Sequence, residues 1–181
     1  MRKPRRLVKG ACYHVGARVN HQEFRLDDDE TKQLLLDVIK RAKEKYPFKM
    51  KNFTIMSNHF HFIIQPVEQS NLSKIMQFIL GVFAMAYNRI HGLKGHFWQG
   101  RFFSRVIESL RELIETFVYI DNNPVKTSQV MNPWEWVYGG LMHHRISRTD
   151  ISEQLEAYLL LVLPIHQRLM IGYEPEVHPS P

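Results

Sequence analysis

The sequence predicts an α+β fold in which an antiparallel sheet carries helices on one face. Two observations support this prediction. Short β-rich runs alternate along the chain with longer runs of helical spacing, and two of the β-rich runs are joined by only a short turn. The elements follow the order β-α-β-β-α-β-α, whose first six members match the split βαβ, ferredoxin-like plan.

The first strand and the first helix are predicted between residues 13 and 47. Residues 13–19 alternate large apolar side chains with smaller or polar ones, as a strand does. The acidic residues at 27–30 suit the positive end of a helix dipole, and apolar residues then recur at helical spacing as far as Ala42. Pro47 is expected to close this helix.

A hairpin and three further elements complete the prediction. Residues 50–56 and 59–65 are both β-rich, and the turn-forming pair Ser57-Asn58 joins them as an antiparallel hairpin. The third helix must stop by Asn123, because a residue that precedes proline disfavours helical dihedral angles. The elements after the hairpin are a helix at about 71–91, a strand at 102–107 and a helix at about 110–122.

Composition and charge restrict the class of protein. The 181 residues carry 24 Lys+Arg against 18 Asp+Glu, a net charge of +6 that points to a polyanionic partner. The single cysteine, Cys12, excludes an intrachain disulfide framework and a cysteine-based zinc site, and it fits a reducing cytoplasm. We expect no membrane span and no signal peptide, because no apolar run is long enough.

Three segments are expected along the chain: a basic arm at residues 1–10, a main domain at 11–140 and a helical or loose extension at 141–181, with an amphipathic stretch at 151–162. The arm is either a solvated run of charges or a segment that binds a DNA backbone. Its cationic side chains are those of Arg2, Lys3, Arg5, Arg6 and Lys9.

The run His59-Phe60-His61 is a candidate metal site. Side chains in a strand alternate between faces, so the two imidazoles share a face and Phe60 points to the other. Two imidazoles at this spacing are well placed to share a divalent cation. The alternative is a pair of polar side chains on the solvated face of a half-exposed strand.

Tyr119 and Asn123 form a second constellation, four residues apart and therefore on one face of a helix. Taken alone, Tyr119 could be a core aromatic and Asn123 an ordinary helix-ending residue. Combined with the histidines, the set makes chemical sense: two imidazole nitrogens and an amide oxygen form an incomplete metal shell open to water and phosphate oxygens. Such a site suits attack by Tyr119 on a phosphodiester, because a metal stabilises the developing charge.

Three motifs resemble those of the HUH-type single-tyrosine transposases, in particular their REP-associated branch within the IS200-like family. The motifs are Met56-Ser-Asn-His-Phe-His-Phe-Ile-Ile, Gly95-His-Phe-Trp-Gln-Gly-Arg-Phe and Tyr119-Ile-Asp-Asn-Asn-Pro-Val, and the resemblance spans about residues 8–140. The third motif differs from the family pattern at Asp121 and Asn122, and we interpret this difference as neutral surface variation.

The resemblance implies a ferredoxin-like fold, a catalytic domain at residues 11–140 and Tyr119 as the nucleophile. His59 and His61 would be ligands of Mg²⁺ or Mn²⁺, with Asn123 as the polar third ligand. The substrate would be single-stranded DNA, often a hairpin or palindromic repeat, cut and rejoined through a 5′-phosphotyrosine link. No small-molecule cofactor is expected, and a bacterial nucleoid would be the location. The sequence leaves open whether the chain acts as a monomer or as a homodimer.

Further DNA contacts are expected around the second motif, where Trp98, Arg101 and Arg105 combine an aromatic ring with two cations. Such a mixture suits stacking on exposed bases and contact with phosphates. Trp98 could instead fill the core beneath the sheet. The pair His143-His144 has no partners at an informative spacing, and we interpret it as structural.

Two other functions remain open: a non-catalytic DNA-hairpin-binding module on the same fold, and an RNA-binding domain of ferredoxin-like fold. The complete set of two histidines, tyrosine and asparagine argues against the first. An RNA-binding domain of this kind presents aromatic side chains on its central strands and needs no His-x-His strand.

Overall fold

The computed structural model describes residues 7–156 and residue 159. Within them, the order of the predicted strands and helices is confirmed. The elements are β1 (Cys12–Arg18), α1 (Asp29–Lys45), β2 (Phe48–Ile55), β3 (His59–Pro66), α2 (Leu72–Ile90), β4 (Phe103–Ile107), α3 (Leu110–Asp121), α4 (Asn123–Lys126) and α5 (Gly140–Arg145), with 3₁₀ turns at Asn20–Gln22 and Pro133–Glu135. None of the helices in this part of the chain is long and apolar enough to cross a membrane.

The four strands form one sheet in the order β2-β3-β1-β4, and every neighbouring pair is antiparallel. β3 and β1 are therefore interior strands, each paired on both sides. The short connection Ser57-Asn58 makes β2 and β3 a hairpin, as predicted.

The two faces of the sheet carry different helices. Phe60, Phe62 and Ile64 of β3 belong to the main core with side chains of α1 and α2. The opposite face has a second, smaller core, in which Ile63 and Ile107 of the sheet meet apolar side chains of α3. The predicted α+β, ferredoxin-like fold with α1 and α2 on one face of the antiparallel sheet is therefore confirmed, and α3, which follows its six elements, covers part of the other face. The consecutive apolar pair Ile63-Ile64 makes β3 apolar on both faces at this end, which gives α3 a surface to cover.

Polar side chains fix where the helices begin. The carboxylate of Asp28 accepts a hydrogen bond from the Thr31 backbone N–H at 2.7 Å, which makes Asp28 the N-cap of α1. Ser109 caps α3 in the same way, accepting from the Glu112 N–H at 3.1 Å. The capped first turn therefore sets the position of α3 along the chain, and with it the position of Tyr119.

The predicted amphipathic stretch at 151–162 is described only in its first part and at residue 159. Residues 151–156 are irregular rather than helical. They run beside β2, where the Glu153 backbone N–H donates to the Met50 carbonyl at 2.9 Å and Ile151 is buried in the main core. The rest of the predicted amphipathic stretch lies outside the described residues, apart from Leu159 in the second core.

A buried polar contact joins α3 to the sheet. The Asn52 side-chain amide donates to the Asp121 carboxylate at 2.8 Å, and both residues are buried. Asn52 lies at an irregularity in the β2–β3 register, which turns its side chain toward α3. The interpretation of Asp121 as neutral surface variation is therefore wrong.

We expect Asp121→Ala to lower the free energy of unfolding by about 1–3 kcal/mol, because the buried Asn52 amide loses its carboxylate acceptor. Urea denaturation measures this loss. Glu115→Ala is the matched control on the same helix: its ion pair with Arg111 is exposed, and a change within about 1 kcal/mol is expected. Equal stabilities of the two variants would contradict the anchoring role of Asp121.

His143 and His144 belong to α5 and pack against β2, which supports the structural interpretation of the pair. The His143 ring meets the Phe53 ring edge-on at 4.9 Å, and His144 Nε2 lies 3.2 Å from the Lys51 carbonyl oxygen. Burial lowers the pKa of each imidazole to about 4. Both side chains are therefore neutral in the folded protein at pH 7.

These shifts predict a loss of stability in mild acid. The unfolded chain binds protons on these histidines near pH 6.5 and the folded chain only near pH 4, so stability is complete above pH 6.5 and falls as the pH drops toward 4. Urea denaturation at pH 7.5 and at pH 5 measures the difference. His144→Gln should reduce it, and an unchanged difference in this variant would contradict the assignment.

Candidate active site

The histidine pair lies on the face of the sheet that α3 partly covers. His59 and His61 project from the same side of β3, with ring centroids 5.1 Å apart. Both residues are only partly accessible, and β3 is an interior strand. The pair therefore lies on a half-buried part of the sheet rather than on a fully solvated strand.

His14 of β1 is a third imidazole beside this pair, and sequence reasoning missed it. His14 Nε2 lies 3.0 Å from His61 Nδ1, a hydrogen-bonding distance. Gly16, directly across from His61, makes room for the ring: a Cβ there would lie 3.2 Å from His61 Nδ1 and 3.0 Å from the Phe60 carbonyl oxygen. Two features of the sequence could have identified His14: the alternation of side chains along β1 and the expected pairing of β1 with β3.

Helix α3 brings Tyr119 to the same place. The phenol ring lies edge-on to His61 and His14, at centroid distances of 5.3 and 5.8 Å. Tyr119 is 41% exposed, so it is not a core aromatic. The Lys126 ammonium lies 5.1 Å from the centre of the ring, which adds a positive charge on the side of α4.

Asn123 connects the helix to the histidines. It is buried, its Nδ2 donates to the Tyr119 carbonyl at 2.9 Å, and its side chain lies close to the His59 ring. The chain thus places His59, His61, Tyr119 and Asn123 in one group. Although α3 ends at Asp121, the short α4 continues one turn further and keeps Asn123 below Tyr119.

The three imidazoles are neutral at pH 7. Burial is the main reason that the pKa of His61 is lowered to about 3. The electrostatic effects of His14, His59 and Arg18 act in the same direction. Burial and the nearby Arg105 lower the pKa of His14 to about 4. Burial and Arg18 also lower the pKa of His59. Neutral imidazoles are the form that binds metal ions.

The donor atoms fit a divalent cation with open positions. His59 Nδ1 lies 2.7 Å from Asn58 Oδ1, so it carries the ring proton and leaves the Nε2 lone pair available. His61 has the same tautomer when its Nδ1 donates to His14 Nε2. Among the described residues no three His, Cys, Asp or Glu side chains form a metal cluster. The set is therefore two imidazoles and the Asn123 amide, which leaves positions for water and phosphate oxygens.

The structure places two of the predicted DNA contacts, Arg101 and Arg105, beside the site. Arg105 lines a cleft with Tyr119 and His14, and Arg101 lines a neighbouring cleft with His59 and His61. Lys9 is exposed, whereas Arg2, Lys3, Arg5 and Arg6 of the arm lie outside the described residues.

Trp98 is a core residue. Only 8% of its surface is exposed, its Nε1 donates to the Leu80 carbonyl at 3.0 Å, and its ring packs against those of Phe60 and Phe83. The prediction that Trp98 stacks on DNA bases is therefore corrected: it fills the core beneath the sheet.

Comparison with known proteins gives consistent matches. The family described as IS200-like transposase matches residues 7–123. A Haemophilus influenzae protein that carries the name REP-associated tyrosine transposase is 27% identical over 140 residues, covering 68% of this chain and 78% of its own. The solved structure of a REP-associated tyrosine transposase bound to a REP hairpin superposes with a TM-score of 0.69 at 25% identity, covering 82% of this chain and 87% of that one.

Proposed function

Because the chain belongs to the IS200-like transposase family, we propose that it is a metal-dependent single-stranded DNA endonuclease and strand transferase that acts through Tyr119. The observation that carries the proposal is the grouping of an exposed tyrosine with two neutral imidazoles and a buried amide on one face of the sheet. A phenol alone is a weak nucleophile, and a phosphodiester is a poor electrophile. Both the phenol and the phosphodiester therefore need the imidazoles and the amide of this site in order to react.

In the proposed reaction, the Tyr119 hydroxyl oxygen attacks phosphorus and the bond from phosphorus to the 3′-oxygen breaks. The phenolic proton passes to solvent, the leaving 3′-oxygen takes up a proton, and a 5′-phosphotyrosine link remains. His59, His61 and Asn123 would hold Mg²⁺ or Mn²⁺, which polarises the phosphate and stabilises its developing charge. A 3′-hydroxyl then reverses the step and rejoins DNA, because one phosphodiester bond is exchanged for another.

The proposed substrate is a DNA hairpin with an unpaired flank. The related structure is bound to a REP hairpin, which supports a hairpin for this chain as well. Arg101 lines the cleft of the histidines and Arg105 that of Tyr119, and both suit phosphates of an unpaired strand. The basic arm at residues 1–10 would add contacts to the DNA backbone.

His14 is a positioning residue in this proposal, because its hydrogen bond fixes which nitrogen of His61 faces the metal. We expect His14→Leu to weaken Mn²⁺ binding about 10- to 100-fold, as loss of a partner to a metal-ligating histidine does. His14→Gln, which keeps a hydrogen-bonding group, should restore much of the affinity. Titration followed by electron paramagnetic resonance measures this without DNA. His91→Leu, at an exposed histidine after α2, is the matched control. Unchanged affinity in His14→Leu would contradict this role.

One assay separates the proposed function from its alternatives. The protein is incubated with Mg²⁺ and three labelled probes: a DNA hairpin with unpaired flanks, the same sequence as RNA, and a blunt duplex. We expect a denaturation-resistant protein–DNA adduct with the first probe alone. Tight hairpin binding without adduct would support a binding module, and preference for the RNA probe would support an RNA-binding domain.

A further inference from the structure

Phe103 is a large apolar side chain that the fold leaves uncovered on the catalytic face. It is the first residue of β4, pairs with Gly16 of β1 and is 52% exposed. Its ring meets the His14 ring edge-on at a centroid distance of 5.5 Å. Residue 16 has no side chain, and the His61 ring lies against the place where its Cβ would be.

The ring stands between the two parts of the active site. It lines the cleft that holds His59 and His61, and it also lines the cleft that holds Tyr119. A strand that occupies both clefts therefore passes over Phe103 or beside it.

Arginines outnumber acidic side chains around the ring: three arginines and one glutamate, Glu115, line the two clefts. Arg105 projects from the same face of β4 two residues on, and it lines the Tyr119 cleft. Arg101 and Arg18 line the cleft on the other side. An apolar flat surface among arginines does not suit an apolar protein partner, because the charges would be buried without counter-ions. It suits a polyanion that also carries flat apolar groups, which is the chemistry of an unpaired nucleic-acid strand.

Building on the proposed function, we infer that Phe103 is the platform on which one unpaired base next to the cleaved phosphate stacks. A base within a duplex has both faces covered by its neighbours, so the platform accepts a base only where the strand is single. Phe103 takes the role that the sequence suggested for Trp98, and Arg101 and Arg105 hold the phosphates on either side.

The test compares Phe103→Ala with Phe103→Tyr and with Phe24→Ala, a control at an exposed phenylalanine that lines neither cleft. The probe is a DNA hairpin with a single-stranded flank, and fluorescence anisotropy gives Kd in Mg²⁺-free buffer. Phe103→Ala should weaken binding about 5- to 100-fold, the range found for a base that loses an aromatic partner. Phe103→Tyr and Phe24→Ala should remain close to the wild type. Thermal melting of each variant shows that it is folded.

A scan of abasic substitutions along the flank locates the base. At one nucleotide next to the cleavage position, removing the base should weaken wild-type binding and have no further effect in Phe103→Ala, because the two changes remove the same contact. Full additivity at every nucleotide, or Phe103→Ala binding as tightly as Phe24→Ala, would overturn the inference. The inference also fails if Phe103→Tyr loses as much affinity as Phe103→Ala.

Failure of the proposed function would look different. If the wild type binds the hairpin and the scan shows the coupled base, yet no protein–DNA adduct forms in Mg²⁺, the platform stands and the cleavage proposal is wrong. If the wild type forms the adduct and Phe103→Ala matches it in affinity and in the scan, the cleavage proposal stands and the platform is wrong.

Discussion

Tyr119→Phe is expected to abolish cleavage, lowering the rate on the order of 10³-fold or more, while DNA binding persists. The substitution removes the hydroxyl oxygen that attacks phosphorus and keeps the ring, whose edge-on packing against His61 and His14 is apolar. Adduct formation on a denaturing gel measures the first effect, and anisotropy with the same hairpin measures the second.

Tyr46→Phe is the matched control for this variant, because Tyr46 ends α1 on the opposite side of the sheet and packs against Phe78. It should cleave at the wild-type rate. Adduct above trace level in Tyr119→Phe would return Tyr119 to a structural role and remove the basis of the proposed reaction.

The second large effect concerns the metal. His59→Ala and His61→Ala should each remove cleavage, and EDTA should do the same to the wild type. Added Mg²⁺ or Mn²⁺ should restore the chelated wild type but neither variant. Asn123→Ala should lose less, because water replaces one neutral oxygen ligand, and Mn²⁺ should rescue it better than Mg²⁺ since manganese has the higher affinity for nitrogen-containing sites.

His91→Ala is the control for the loss of an imidazole, since His91 is exposed and lies after α2. It should leave cleavage and its metal requirement unchanged. Cleavage by the wild type that proceeds unaffected in EDTA would mean that the histidine pair has a role other than metal binding.

Local sequence patterns were sufficient for the parts of the site that lie on one element. The alternation of a strand placed His59 and His61 on one face, and the turn of a helix placed Tyr119 above Asn123. These relations depend on backbone geometry alone. The structure keeps them even where α3 ends and α4 begins.

Relations between elements could not be predicted in this way. The contact of His14 with His61 depends on the β1–β3 register, and the exposure of Phe103 depends on which part of the sheet α3 covers. Trp98 and Asp121 show the same limit, because burial is decided by elements distant in sequence: the Leu80 carbonyl for one and Asn52 for the other. The residue type alone is compatible with both a buried and an exposed role for each of these side chains.

The most direct measurement is the identification of the residue that carries DNA after cleavage. The adduct formed by the wild type with a hairpin probe is digested with trypsin and nuclease and analysed by mass spectrometry. Peptide 112–126 contains Tyr119 as its one tyrosine. The proposal predicts a nucleotide joined through its 5′-phosphate to Tyr119 in this peptide. A nucleotide on any other residue, or a link through a 3′-phosphate, would contradict it.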